Sequence, residues 1–543
     1  MIDRVDGDEK MEKENVATEQ QLVDEKLGES EKNIKKREMS SQLYENKGRN
    51  LISIELKEQM KDIKHEISED LNNRMIDAML NILRKMDRAT IHEMKDFIET
   101  EKYCNRRKST NDVLPIKQFL HRNSMLTDLY EVKHIRTIYN VLVSSLILLM
   151  IHTAINDMRI TGLPNLAIGT VRRGFGKFPM VFCIWSLMKG STLCVHAAFS
   201  YWATQRVKWP PKSFARNLWD YTWVAGIVLY YTMFITLSAG AVLHQDLPVA
   251  SSTIIIMEQI RMVMKIHAFV RSVAPRFLSY KPHSDTPQPK VPDFSTFVYF
   301  MFAPTLIYQD SYPRAKRIRW NIVLINFAEV LTIIFFVAII YERILEPTYR
   351  DYGKEPIDLE MLLLNILSSI LPGVILFVSG FYCLLHSWMN ACAELLRFAD
   401  KMFYKDWWNS NSYSTYYRTW NIVVHDWLYT YIYKDVYENL TSRNKKLAVF
   451  MVFATSAVFH EYILCLTFKF FYPVLLVLFG GVGLVMYVLN SAGNILIWLS
   501  LCLGNGVLVS FYCMEYFARV NCPPTRDDFF DFMIPRSWTC IYN

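Results

Sequence analysis

Along most of this chain, apolar residues run almost unbroken between short stretches rich in lysine and arginine. A helix rises 1.5 Å per residue, so about 20 apolar residues suffice to cross the roughly 30 Å of hydrocarbon in a bilayer. Runs of that length lie near 138–157, 221–245, 320–343, 361–386, 447–469, 471–492 and 494–516. Two more polar ones lie near 178–203, with Lys189 and His196, and 249–274, with Glu258, Arg261 and Lys265. The pattern predicts an all-α fold, a polytopic membrane bundle of about nine transmembrane helices. The first run starts more than 100 residues into the chain, so no cleavable signal peptide is expected.

Upstream of the runs the rhythm changes. Residues 1–50 mix charges with little apolar periodicity and are expected to be disordered. From 51 to about 98 an apolar stripe recurs at spacings of three and four, through Ile52, Leu56, Met60, Ile63, Ile67 and Leu71. Such a stripe needs a partner, and self-association is the expected one, with packing onto the membrane surface as the alternative. The expected organisation is a disordered terminus (1–50), an amphipathic oligomerisation segment (51–130), a membrane domain (131–516) and a polar tail (517–543).

Charge placement orients the bundle. The segments 204–219, 275–319 and 387–446 are rich in Lys and Arg, whereas 344–360 carries Glu346, Asp351, Glu355, Asp358 and Glu360. By the positive-inside rule, the N-terminus and the basic segments are cytosolic. An odd number of spans then puts the C-terminus in the lumen. The loop 157–177, with Arg172, Arg173 and Lys177, fits less well.

Composition agrees. The 543 residues are 51% hydrophobic and 14% aromatic, with a mean hydropathy of +0.10, which excludes a disordered or fibrous chain. Residues 1–130 carry 27 acidic and 24 basic side chains, leaving the apolar remainder basic. Nothing points to nucleic acid as a partner; the expected environment is a lipid bilayer. Most of the ten cysteines lie within apolar runs. Cys522 and Cys540 instead bracket the tail on the expected oxidising side, where a disulfide would stabilise it by about 3 kcal/mol. The sequon Asn439-Leu440-Thr441 falls on the cytosolic side and is expected to stay unmodified.

Titratable groups at membrane depth are costly and therefore candidates for function. Here they are His152, Lys189, His196, Glu258, Glu329, His386 and the pair His460-Glu461. His460 lies well inside its run after small residues, with Ser456 one turn back on the same face. An imidazole there suits general-base work, with an interhelical hydrogen bond as the bland reading. The segment 387–446 adds an aromatic, polar-tipped surface suited to the membrane interface. Asn421 and His425, four apart, are expected on one helix face with Tyr429 beyond. Beside Arg418 and Lys445, that face could receive a phosphate-bearing molecule whose tail enters the bilayer, or serve only as an anchor.

Three strings carry a resemblance: FYKDWWN at 403–409, YYRTWNIVVHDWLY at 416–429 and SAVFHEY at 456–462. Together they resemble the membrane-bound O-acyltransferase family, and within it the sterol O-acyltransferases. Diacylglycerol acyltransferases are similar but usually carry Glu where Asp406 stands. HIRTIY at 134–139, FAPTLIYQDSYPR at 302–314 and PRSWTC at 535–540 extend the likeness over 131–543. The resemblance implies a helix bundle enclosing a catalytic tunnel in the endoplasmic reticulum membrane, assembled as a homo-oligomer (dimer or tetramer). It implies that His460 and Asn421 are catalytic. It also implies that acyl-CoA is held by the motif residues Phe403, Tyr404, Asp406, Trp407, Trp408 and Asn409, and by Tyr417, Arg418, Trp420, His425, Tyr433, Lys445 and Ser456. Thr415 stands where Asn is expected, which weakens that one polar contact.

The implied reaction moves a long-chain acyl group from acyl-CoA to the 3β-hydroxyl of cholesterol or a related sterol. His460 would take the hydroxyl proton, and Asn421 would hydrogen-bond the thioester carbonyl or orient the hydroxyl. No metal is expected, and no cofactor beyond the acyl-CoA co-substrate. The rivals are another acceptor, such as diacylglycerol, and a transporter or scaffold. A transporter would more often pair interrupted spans in its two halves, and only Leu371-Pro372-Gly373 interrupts one clearly.

Overall fold

The long apolar runs become long helices because, without water, backbone N–H and C=O groups must satisfy one another within each segment. The structure, a computed structural model, describes residues 117–280, 287–354, 358–440, 443–489, 493–524, 529–538 and 540. All of these belong to the unit Leu114–Asn543. The expected disorder of 1–50, the amphipathic helix of 51–98 and Thr441 of the sequon lie outside the described residues.

Nine labels suffice for the bundle: α1 (Lys133–Thr161), α2 (Phe178–Lys208), α3 (Phe214–His244), α4 (Val249–Leu278), α5 (Trp320–Tyr349), α6 (Leu359–Leu395), α7 (Lys445–Phe468), α8 (Leu476–Leu489) and α9 (Asn494–Asn521). Among the described residues there is no strand, only isolated bridges at Arg122–Asp400 and Arg314–Phe398. α5 and α6 pass through wider π turns at Tyr341–Leu345 and Tyr382–Trp388.

Seven of these helices, all but α4 and α8, are long and apolar enough to cross a membrane, so the expected nine is not met by this measure. α4 is a 30-residue helix, but it turns its charges into protein. Lys265 is fully buried and donates to the carbonyls of Phe300 (2.5 Å) and Ala303 (2.7 Å), at the end of the short helix Phe294–Phe302. Arg261 bonds Met301 O (3.0 Å) and pairs with Glu258 (2.6 Å). α4 is therefore a core helix held by polar contacts. α8 is shorter over its described residues, follows Pro473, and its first half is a π helix, Leu476–Gly483.

α6 and α9 cross closely where both carry glycine. A Cβ on Gly506 would lie 2.7 Å from Ile370 Cγ1 and 3.0 Å from Ile366 O, and one on Gly373 would lie 3.0 Å from Asn505 O. Only glycine lets these backbones approach, the usual device for helix contact in lipid. Among the intramembrane polar groups, Glu329 accepts from Tyr139 (3.1 Å) and Ser387 (2.7 Å), and His196 meets Pro292 O (2.8 Å). Lys189 does not reach toward a membrane surface. It is buried beside the rings of Trp185 and Phe302, with Glu258 at 3.9 Å.

Candidate active site

The segment carrying FYKDWWN is irregular, and neighbouring chain holds it in place. Lys405 N bonds Thr419 O (2.9 Å) and Ile422 N bonds Phe403 O (2.9 Å), which lays the string beside the stretch leading to Asn421. From α9, Asn494 Nδ2 donates to the carbonyls of Trp408 (2.8 Å) and Ser410 (3.0 Å), and Trp498 Nε1 donates to Trp408 O (3.1 Å). The string divides into an inner and an outer set. Phe403, Tyr404 and Trp407 are buried, and Trp408 is half-buried. Asp406 and Asn409 are exposed.

The inner set builds architecture. Trp407 packs edge-on against Trp420 (4.5 Å) and Phe381 (5.1 Å) and lies 5.6 Å from Trp498. Trp420 in turn stacks on Phe377 (4.5 Å). The Tyr404 hydroxyl meets His386 Nδ1 (2.6 Å), and burial pushes this phenol's pKa up. His386 is thereby absorbed into a buried network with Asn390. Phe403, Tyr404 and Trp407 are thus buried, the last two packed among neighbouring rings.

Asn421 is not on a helix face with His425, as the four-residue spacing suggests. Its backbone is extended (φ −139°, ψ 90°), and it caps the helix Ile422–Leu428, its Oδ1 accepting from Val424 N (3.1 Å). Asparagine before Ile-Val-Val is a strong cap, because its side chain satisfies an amide that the first turn leaves open. The cap uses the oxygen and leaves the amide nitrogen, which has no partner among the described residues.

His425 begins a ladder of half-buried rings at four-residue spacing. It stacks on Tyr429 (6.3 Å), Tyr429 on Tyr433 (5.5 Å) and Tyr433 on Tyr437 (5.8 Å), with Lys434 Nζ 5.3 Å from the Tyr429 ring centre. Asp426 pairs with Lys117 (2.6 Å) and lies 3.4 Å from His425 Nδ1. Burial opposes ionisation of Asp426, yet the His425 contact and the Lys117 charge hold its carboxyl below the ordinary value.

His460 stands on α7. His460 lies within about 20° of Phe453 round the helix, and its ring centre is 5.4 Å from that of Phe479, so this face of α7 turns toward α8. Buried Phe453 shares that side. The imidazole is nonetheless exposed. Its Nδ1 lies 2.7 Å from Ser456 O and 3.4 Å from Ser456 Oγ. A carbonyl can only accept, so Nδ1 carries the hydrogen. The neutral ring then presents a lone pair at Nε2, which has no partner among the described residues.

Phe479 of α8 joins the pieces, with its ring centre 5.4 Å from that of His460 and 5.5 Å from that of Tyr417. Tyr417 also packs on Phe453 (5.0 Å), and its hydroxyl lies 2.5 Å from where a Gly483 Cβ would be. Glu461, next to the imidazole, accepts from Leu476 N (2.9 Å) and Tyr512 OH (2.7 Å), which fixes the start of α8 to α7. The sequence reading missed Phe479 and Gly483. Their one local signal is the run Gly480-Gly481-Val482-Gly483, where missing side chains make room for a ring.

Several expected residues stand apart. Arg418 is exposed and folds back on Ser414. Lys445 is exposed at the first turn of α7, 15 residues before His460, about 22 Å along the axis. A small apolar cavity of about 100 Å³, lined by Ile235, Gln259, Val458 and Tyr462, lies between α3, α4 and α7 and does not include His460. At the tail, the sulfurs of Cys522 and Cys540 meet, with Cα atoms 6.2 Å apart.

The sequence model of one family, MBOAT, the membrane-bound O-acyltransferases, matches residues 180–514. The chain belongs to the membrane-bound O-acyltransferase family. Its relatives there include sterol O-acyltransferase 1 of Chlorocebus aethiops, 44% identical over 436 residues, or 78% of each chain. The same enzyme of Cricetulus griseus is 43% identical over 78% of this chain and 79% of its own. Sterol O-acyltransferase 2 of Homo sapiens is 39% identical over 78% of this chain and 80% of its own. In this acyltransferase, the motif string, the Asn421 cap and the α8-facing side of α7 all fall inside the matched region.

Proposed function

We propose that this protein transfers a long-chain acyl group from acyl-CoA to the 3β-hydroxyl of cholesterol or a related sterol, releasing CoA and a steryl ester. The observation that carries the mechanism is the free Nε2 of His460, on the α8-facing side of a membrane-spanning helix, with Nδ1 tied to Ser456 O. In this reading Nε2 takes the sterol proton as the hydroxyl oxygen attacks the thioester carbonyl. The tetrahedral intermediate collapses, the C–S bond breaks, and the imidazolium returns the proton to the departing thiolate. General-base help of this kind contributes typically about 10²–10⁴-fold. The free amide nitrogen of Asn421 would donate to the carbonyl oxygen as charge develops there, or orient the hydroxyl. The thioester is already activated, so no metal and no further cofactor enters.

The spacing of charge along α7 supports the donor. Lys445 at the helix start and His460 about 22 Å deeper fit a molecule with a polyanionic head and a reactive thioester at the far end of a flexible arm. In this reading α4 and α8 also traverse the bilayer, within the protein, so the CoA head stays at the basic, cytosolic end of α7, and the acyl chain and sterol meet through a tunnel at membrane depth. The enzyme would lie in the endoplasmic reticulum membrane, N-terminus cytosolic and C-terminus lumenal, as a homo-oligomer with a Cys522–Cys540 disulfide.

Purified protein supplied with labelled oleoyl-CoA and either cholesterol or diacylglycerol tests the proposal. Steryl ester and free thiol should form together with cholesterol only. Label in the diacylglycerol product would reassign the acceptor. No thiol release with either acceptor would favour a transporter or scaffold.

A further inference from the structure

The chain before α1 is built into the site. Residues 117–122 run extended along the segment that leads into FYKDWWN. Arg122 N donates to Ala399 O (3.0 Å), and Lys401 N donates to Arg122 O (3.0 Å). The Arg122 guanidinium grips Asp400 through Nε (2.6 Å) and Nη2 (3.2 Å). On the far side of that segment Ala399 N bonds Pro313 O (3.0 Å), so the approach to the motif is held from both flanks. Five residues upstream of Arg122, Lys117 pairs with Asp426 (2.6 Å), both side chains largely buried. Its carbonyl also accepts from Gln309 Nε2 (3.1 Å). One short strap thus clamps the two stretches that carry the motif and the His425 ladder. It lies outside the residues 180–514 matched by the family model.

A partly buried pair resists screening, and its geometry fixes what it touches. Lys117 holds the Asp426 carboxylate, and that carboxylate faces His425 Nδ1 at 3.4 Å. His425 is the first ring of the half-buried ladder, over which Lys434 stands at Tyr429. We propose that Lys117 is a positioning residue for the acyl donor: through Asp426 it sets the orientation of His425 and of the ladder against which the CoA head binds. The inference rests on acyl-CoA being the donor. It assigns the strap to donor binding and not to the chemistry at His460.

Kinetics of the full-length protein test it. K117E places two carboxylates side by side, so KM for oleoyl-CoA should rise about tenfold, the factor that corresponds to one lost charge contact. Turnover at saturating donor and KM for cholesterol should stay within about twofold. K117R should behave as the unaltered protein. The charge-reversed pair K117E/D426K should re-form the ion pair and recover thermal stability but not the donor KM, because the carboxylate that faces His425 Nδ1 is gone. Unchanged donor KM in K117E would overturn the proposal. So would a loss falling equally on turnover and on both KM values with lowered thermal stability, which marks a purely structural strap. A double variant that recovers the donor KM would overturn it too, because the pair alone, without the carboxylate on His425, would then suffice. If the unaltered protein releases no CoA, the proposed function fails; if it turns over normally while K117E matches it, only the role of Lys117 fails.

Discussion

His460 can be altered so that catalysis and folding separate. In His460→Asn the amide nitrogen falls near the position of Nδ1 and can still donate to Ser456 O, but nothing occupies the position of Nε2. In His460→Gln an amide reaches toward the Nε2 position but accepts no proton. Neither change removes much packing, since the ring is exposed and its recorded ring contact is the 5.4 Å one to Phe479. Such a contact is worth about 0.5–1.5 kcal/mol. The general-base loss of about 10²–10⁴ corresponds to about 2.7–5.4 kcal/mol in the barrier. Both variants should therefore lose at least a hundredfold in CoA release, with thermal unfolding and gel-filtration elution close to those of the unaltered protein. The assay is thiol release from oleoyl-CoA in the presence of cholesterol, run beside a thermal melt on the same preparation. Turnover within about tenfold of normal in either variant refutes the base assignment, because that is less than the smallest contribution such a base makes.

Two further substitutions probe the surroundings. Asn421→Asp keeps the capping oxygen and deletes the N–H donor, so it should melt normally and lose about 10²–10³ in turnover, whereas Asn421→Ala should also lose about 1 kcal/mol of stability. An active Asp variant would reduce Asn421 to a helix cap. Gly506→Ala drives a methyl group into Ile370 and the Ile366 carbonyl, and should cost about 1–3 kcal/mol in thermal or denaturant unfolding; an unchanged melt would mean that α6 and α9 can separate at no cost.

Most of the bundle was legible because hydrocarbon imposes a composition and a length that a sequence displays directly. Where the hydropathy is weakest, the surroundings are protein instead of lipid. α4 keeps Glu258, Arg261 and Lys265 because carbonyls at the end of Phe294–Phe302 receive them. The site was legible as residue types and only partly as geometry. Helical spacing put Asn421 and His425 on one face, but the asparagine side chain captures Val424 N and so stands just before the helix it starts. The strap was hidden for another reason. Lys117 and Arg122 find Asp426 and Asp400 across about 300 and 278 positions, and no local pattern announces a pair at that separation.

The acceptor that sets the hydrogen on His460 belongs to the peptide backbone of the same helix. Many catalytic histidines are steered by a carboxylate on another element, which a single substitution can delete or a domain motion can withdraw. Here no exchange of side chains at Ser456 removes the steering atom, and any tilt of α7 carries imidazole and anchor as one rigid piece. Loss of function by mutation in this neighbourhood should therefore come from closing the space before the ring, not from turning the ring away from it.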